Sequence, residues 1–287
     1  MPNTPISSMY LEGRKFYVKR DDLIDPFLAG NKYRKLYTLL QTPSSKLSKV
    51  ISYGGTQSNA MLAIAALCKK KGWEFVYYTK PLSKEQKELS CGNYAHAIAL
   101  GMCHRELEYE LYRDYIASLK VLQDPLTFVL DQGGADLSAR EGIECLAQEI
   151  REANLGVRSL ATPSGTGTTA LFLACALPEY RIYTAPSIGT SDYLKEQMGA
   201  LCPSLPQNLV ILEMKKKYRF AKPYRELYTM YKKLLACGIE FDLLYAPTMW
   251  EALLEQTQEE ILYIHSGGVS GNETMLKRYE KIFTPPM

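Results

Sequence analysis

The sequence predicts an α/β fold: an open, mostly parallel twisted sheet with a smaller inserted α/β domain. Three observations predict it. Strand-like and helix-like segments alternate along the whole chain, glycine- and hydroxyl-rich turns lead from strands into helices, and no linker separates two halves.

The strand-like segments are KVISY, EFVYYT, TFVLD, RSLAT, RIYTA, NLVILE, FDLLY and ILYIH, each a short run of β-branched, aromatic or other apolar residues. Between them lie helical patterns. QSNAMLAIAALCKKKG keeps apolar residues at helical spacing and closes with Lys69, Lys70, Lys71 and Gly72, a basic last turn followed by a stop. Parallel strands need a long crossover, which such helices supply, so the alternation predicts a mostly parallel sheet.

At 287 residues the chain has room for two domains. With no Pro/Gly/Ser-rich linker, a second domain has to be inserted into the first. Weak breaks at QTPSSKLS around Pro43 and EANLGVRS around Gly156 bracket the insertion. The expected division is a large domain of 1–43 plus 155–287 and a small one of 44–154, with a ligand cleft between them.

A hydrophobic content of 46% with 23% charged residues fits a folded protein and excludes a disordered one. A formal net charge of +3 gives no electrostatic case for nucleic acid or a membrane surface, so a small-molecule partner is expected. The run Lys215 to Lys217 reads as solvated surface. Seven cysteines without a CxxC pair suggest neither a disulfide framework nor a zinc site. The N-terminal segment shows no apolar core of signal-peptide length, and no later stretch approaches a membrane span; the expected location is cytoplasmic.

Ligands of open α/β sheets bind at the carboxyl ends of strands, so the strand-to-helix turns are the places to search. In LATPSGTGTTALFLACAL a strand runs through Ser164, Gly165, Thr166, Gly167, Thr168 and Thr169 into an apolar helix. Small residues, free backbone N–H groups, a helix dipole and several hydroxyls converge there, a combination suited to phosphate. An ordinary capped helix start would read the same way. Neither GxxxxGK[ST] nor GxGxxG is present, which disfavours a mononucleotide P-loop and a dinucleotide turn.

The second turn, VISYGGTQSNAMLAIAAL, places Ser58 and Asn59 at a helix start after Gly54 and Gly55 and offers another anion site, or simply a capped turn. Two such sites suit a cofactor phosphate and a substrate carboxylate. A carbonyl-reactive amine would complete the set. In AGNKYRKLYTLL, Lys32 opens a helix and helical spacing puts Lys35 on the same face. A cationic neighbour lowers the pKa of a nucleophilic amine and can pair with phosphate. Read locally, however, Lys32, Arg34 and Lys35 fit a basic solvent face equally well.

In chain order, VKRDDL (18 to 23), GNKYRKL (30 to 36), GGTQSN (54 to 59), CGNYAHAIALG (91 to 101), QGGA (132 to 135), SGTGTT (164 to 169), LLYA (243 to 246) and IHSGG (264 to 268) resemble the 1-aminocyclopropane-1-carboxylate deaminase and D-cysteine desulfhydrase family. Its members are pyridoxal phosphate (PLP) enzymes of the tryptophan synthase β-subunit fold type. The resemblance spans nearly the whole chain, and GNKxRKL together with GGxQSN makes it specific.

The resemblance implies PLP in the cleft, joined to Lys32 as a Schiff base, with Lys32 also shuttling the substrate's α-proton. It implies that Lys35 and the loop of Gly165, Thr166, Gly167, Thr168 and Thr169 hold the phosphate. Asn59 would face the phenolic oxygen of the cofactor and Ser58 would hold the substrate carboxylate. Tyr245 would stand near the substrate, Ser266 would face the pyridine nitrogen, and the protein would be a homodimer. His265 has the plainer reading of a satisfied core histidine.

A carboxylate beside the pyridine nitrogen makes the ring a strong electron sink, whereas a neutral hydroxyl such as Ser266 leaves a weaker one, adequate for losing a β-leaving group. In the cyclopropane deaminases the tyrosine is followed by glutamate; here Ala246 follows Tyr245. The expected reaction is therefore α,β-elimination from D-cysteine or a related β-substituted D-amino acid, giving a keto acid, ammonia and the leaving group. The nearest alternative is 1-aminocyclopropane-1-carboxylate deamination to 2-oxobutanoate. A non-catalytic PLP-binding or ligand-sensing protein is the alternative of another class. The chain departs from the family in a short N-terminus, in Ala60 where a bulkier His or Gln is usual, and in APTMW after the tyrosine.

Overall fold

The structure, a computed structural model, describes residues 2–283 except 89 and 123. It begins with a hairpin of β1 (Ile6–Leu11) and β2 (Arg14–Lys19). Glu12 and Gly13, at φ 51° and 76°, close it in two left-handed residues, a turn whose twist matches the flanking strands. α1 (Gly30–Lys35) and α2 (Tyr37–Gln41) follow. Next come β3 (Lys49–Tyr53), α3 (Asn59–Lys71), β4 (Glu74–Thr79), α4 (Lys84–Lys87), α5 (Gly92–Ala99), β5 (Met102–Glu106), α6 (Tyr109–Leu119) and β6 (Thr127–Val129). The chain continues through α7 (Ala139–Ala153), β7 (Ser159–Ala161), α8 (Thr168–Ala176), β8 (Arg181–Thr184), α9 (Ser191–Leu201) and β9 (Leu209–Ile211). It ends with α10 (Arg225–Ala236), α11 (Ala246–Gln256), β10 (Ile261–Ile264) and α12 (Asn272–Phe283).

These elements build a two-domain α/β architecture around two sheets. The larger has the order β1-β2-β10-β7-β8-β9, parallel except for β1, and the smaller is the all-parallel β5-β4-β3-β6. Alternation along each strand assigns its two faces. In β10, Leu262 and Ile264 enter a core with α7, α8 and α9, while Ile261 and Tyr263 enter another with α10 and α11. In β4, Phe75 and Tyr77 pack on the side of α3 and α5, and Val76 packs with Ile116 and Leu119 of α6. No helix among the described residues is long and apolar enough to cross a membrane.

α3 has the two ends that the sequence marks. Ser58 caps it by accepting from the Met61 amide at 3.2 Å, and Gly72 ends it in the left-handed region.

Two expectations need correction. FDLLY is not a strand: the Asp242 carboxylate accepts the amides of Leu244 (3.0 Å) and Tyr245 (2.7 Å), curling the chain into the start of α11. The local alternative of a basic solvent face on α1 also fails, because Arg34 is 0% and Lys35 5% exposed.

Arg34 is held from two sides. It donates to both oxygens of Asp21, from Nε at 2.9 Å and Nη2 at 2.8 Å, and to both oxygens of Glu149 on α7, from Nη1 at 2.5 Å and Nη2 at 2.9 Å. Lys19 of β2 pairs with Glu149 at 2.8 Å, so two cations and two anions balance. Removing one member leaves buried charge uncompensated, which costs far more than an exposed ion pair is worth. Arg34→Met should lower the unfolding free energy by about 3–5 kcal/mol, measured by urea denaturation; a loss below about 1 kcal/mol would contradict a structural role for the cluster.

Candidate active site

The carboxyl ends of β3, β7 and β10 lead into three turns that meet across one cavity of about 330 Å³. Its wall includes Lys32 and Lys35 from α1, the 55–60 turn entering α3, the 163–169 turn entering α8, Tyr245, and Ser266 after β10. Every site residue picked from the sequence thus borders the same space. Ala246, by contrast, is buried in the core with Trp250 and Met249 and does not line it.

α1 starts hard against the turn after β10. Gly30 has φ 58°, and a Cβ there would lie 2.0 Å from the Ser266 carbonyl oxygen, so only glycine permits the approach. That contact sets Lys32 beside Ser266. The Lys32 amine donates to Asn31 Oδ1 at 3.0 Å, and the Asn31 amide donates to Thr169 Oγ1 at 3.3 Å, linking α1 to the start of α8. Burial pulls the Lys32 amine down to about 8, with the field of Asp242 opposing. Near neutral pH a useful fraction is therefore the neutral nucleophile.

The Lys35 amine donates to the Gly133 carbonyl at 3.1 Å and lies 3.5 Å from Thr166 Oγ1. Burial, and next the charge of Lys32, push it well below the ordinary lysine value. An anion between Lys35 and the turn would relieve both effects. The turn suits one: Gly167 supplies no side-chain cap to α8, whose first N–H groups are left open, and Thr166 and Thr168 hydroxyls stand 3.0 Å apart.

On the opposite wall Asn59 is oriented by a second amide, its Oδ1 accepting from Asn93 Nδ2 at 2.7 Å. Asn93 also donates to the Gln57 carbonyl at 3.2 Å and accepts from Ser270 at 2.8 Å. The Ser58 hydroxyl serves α3 as its cap, and Ser58 borders the cavity. The Ser266 hydroxyl has no hydrogen-bond partner among the described residues. The neighbouring His265 is a core residue: Gly267 N donates to its Nδ1 at 3.0 Å, Nε2 meets the Glu240 carbonyl at 2.8 Å, and the ring stacks on Phe241.

Tyr245 is aimed by the Asp242 turn and braced by Phe220, ring centroids 5.3 Å apart. Asp242 and Asn93 are the residues that sequence reasoning missed. Asn93 lies within the CGNYAHAIALG segment, which assigns it no role, whereas an aspartate three residues before Tyr245 and five before Pro247 is a helix-start signal hidden inside a strand-like run.

No family model matches the chain. A Thermotoga maritima protein named "putative 1-aminocyclopropane-1-carboxylate deaminase" is 26% identical over 287 residues, covering 90% of each chain. D-cysteine desulfhydrase of Yersinia pestis is 24% identical over 287 residues, covering 89% of this chain and 87% of its own. In fold, the crystal structure of an ACC deaminase homologue superposes with a TM-score of 0.73 at 24% identity, covering 96% of this chain and 93% of the other.

Asp242 gives this site a pH signature. It is 1% exposed, and Oδ2 makes no hydrogen bond among the described residues. Burial pushes it up from 3.8 to about 7 against the Tyr245 and Leu244 amides and the charge of Lys32. The folded state then keeps a proton that the unfolded chain releases, so stability falls as pH rises from about 4 to about 7. Asp242→Asn keeps an acceptor for the turn and removes that fall. Between pH 4.5 and 7.5 the unfolding free energy of the variant should gain on the parent by on the order of a few kcal/mol, read from denaturant curves; a difference that stays constant would contradict the assignment.

Proposed function

From a chain homologous to the 1-aminocyclopropane-1-carboxylate deaminase and D-cysteine desulfhydrase family, PLP enzymes of the tryptophan synthase β-subunit fold, we propose a PLP-dependent lyase that eliminates a β-substituent from a small amino acid, D-cysteine or a related D-amino acid. The observation that carries the reading is the meeting of the buried Lys32 amine with two helix starts around one cavity.

The donor set fits PLP. Lys32 would hold its aldehyde carbon, Lys35 and the Gly165, Thr166, Gly167, Thr168 and Thr169 turn its phosphate, Asn59 its phenolic oxygen, and Ser266 its pyridine nitrogen. Bound PLP supplies a conjugated ring that accepts electrons when a proton leaves the substrate's α-carbon.

The remaining work falls to the chain. The start of α3 with Ser58 binds the substrate carboxylate, where the helix dipole favours an anion. The Lys32 amine, already depressed toward 8, would take the substrate's α-proton as a general base. Tyr245 stays protonated at any working pH because burial raises it, so its hydroxyl can donate to the leaving group. Ser266 is neutral, and the core position of Ala246 offers no carboxylate, which favours elimination over ring opening. The small domain is drawn tighter than 44–154, ending before α7, because Ile143, Leu146 and Ile150 of that helix belong to the core of the larger sheet. A homodimer completes the proposal.

Purified protein supplied with PLP should release pyruvate and sulfide from D-cysteine. Lys32→Ala should lose that activity by roughly 10²–10⁴-fold or more. Products separate the readings: 2-oxobutanoate from 1-aminocyclopropane-1-carboxylate without pyruvate from D-cysteine would establish the deaminase alternative. Cofactor colour with no turnover on a panel of D- and L-amino acids would leave only a binding role.

A further inference from the structure

The cavity wall carries three cationic side chains, Lys32, Lys35 and Arg278, and no aspartate or glutamate among the described residues. The proposed reading gives Lys32 to the cofactor carbon and Lys35 to its phosphate. Arg278 has no such task.

Arg278 projects from α12. Its Nη1 donates to the Ala221 carbonyl at 2.9 Å, and no described carboxylate lies within ion-pair distance of it. Glu85, an acid close enough to feel its charge, is exposed and pairs with Lys281 at 2.8 Å. A second acid on α12, Glu273, faces His96 and the Gly92 amide instead. The guanidinium keeps several donors in a fixed fork.

Its location says which part of a ligand it would meet. Ala221 sits at φ 56°, left-handed for a residue with a Cβ, in the segment that the Arg278 bond holds against α12. The neighbouring Phe220 packs on Tyr245. Arg278 therefore borders the cavity on the side of the tyrosine assigned to the leaving group, while the α-carboxylate position lies at the start of α3. Gln86, whose amide oxygen is engaged by the Ser83 N–H, also borders the cavity.

We infer that Arg278 is a specificity residue and that the preferred substrate is an amino acid whose side chain ends in an anionic oxygen group. The inference rests on the proposed lyase reading and narrows its substrate class. A charge-assisted, fork-shaped contact inside a cavity with no competing acid discriminates strongly between an anionic side chain and a neutral one of the same shape.

The test compares S-carboxymethylcysteine with the near-isosteric S-propylcysteine, each as D and L enantiomer, on the PLP-loaded enzyme. Elimination from either breaks the Cβ–S bond and removes the α-proton, giving a thiol and aminoacrylate, which one water hydrolyses to pyruvate and ammonia, so the main difference between the two compounds is the side-chain charge. Thiol release gives kcat and KM, and calorimetric titration gives affinity. Expected is a preference for the carboxymethyl compound of roughly tenfold or more in kcat/KM and in affinity, carried mainly by KM. In Arg278→Gln the ratio should collapse toward one, and Arg278→Lys should retain part of it. Equal affinity and equal kcat/KM in the parent enzyme would overturn the inference without any variant, as would a preference that survives in Arg278→Gln. Binding of both compounds with no thiol release would sink the lyase reading, leaving the affinity ratio to decide on Arg278. No affinity for either would overturn both.

Discussion

The arrangement of the site depends on one buried guanidinium. Arg34 lies on α1 between Lys32 and Lys35, and its bidentate pairs to Asp21 and Glu149 tie that short helix to the segment after β2 and to α7. A helix of six residues has little stability of its own, so tertiary anchoring has to fix its position. With Arg34 pointing into the protein and the α1 start wedged at Gly30 against Ser266, the two lysines are left to face the cavity. The same helix thus buries one cation in a neutral cluster and presents two more to a ligand space.

The cavity's electrostatics follow from that placement. Burial in a space without acidic lining pulls both lysines below ordinary lysine values, and the charge of Lys32 lowers Lys35 further. Asp242, behind the wall, supplies the one opposing field on Lys32 and at the same time shapes the turn that aims Tyr245. Helix starts on facing walls add partial positive charge where N–H groups are open. The whole environment selects for ligands that bring negative charge and a carbonyl with them.

Much of this was legible in the sequence, for identifiable reasons. α3 could be read from both ends because Ser58 and Gly72 carry capping signals, and the 164–169 turn could be placed as a helix start from its small and hydroxyl residues, which fit a plain cap as well as an anion site. The β1–β2 hairpin escaped because its Glu12–Gly13 turn is a weak form of a signal usually written Asn-Gly or Asp-Gly. β5, MCHRE, escaped because a polar edge strand lacks apolar alternation. The burial of Arg34 and Lys35 had no local trace, since their partners lie 13, 115, 98 and 131 residues away. Asp242 was hidden because a strand-like composition overrode its capping position.

The central claim is that Lys32, among 34 lysines and arginines, is the amine that holds the cofactor. Incubating the protein with PLP, reducing with borohydride and mapping the proteolytic peptides by mass spectrometry tests it most directly. The account predicts one pyridoxyl group per chain, on Lys32. A label on Lys35 or on a surface lysine, with Lys32 unmodified, would contradict it.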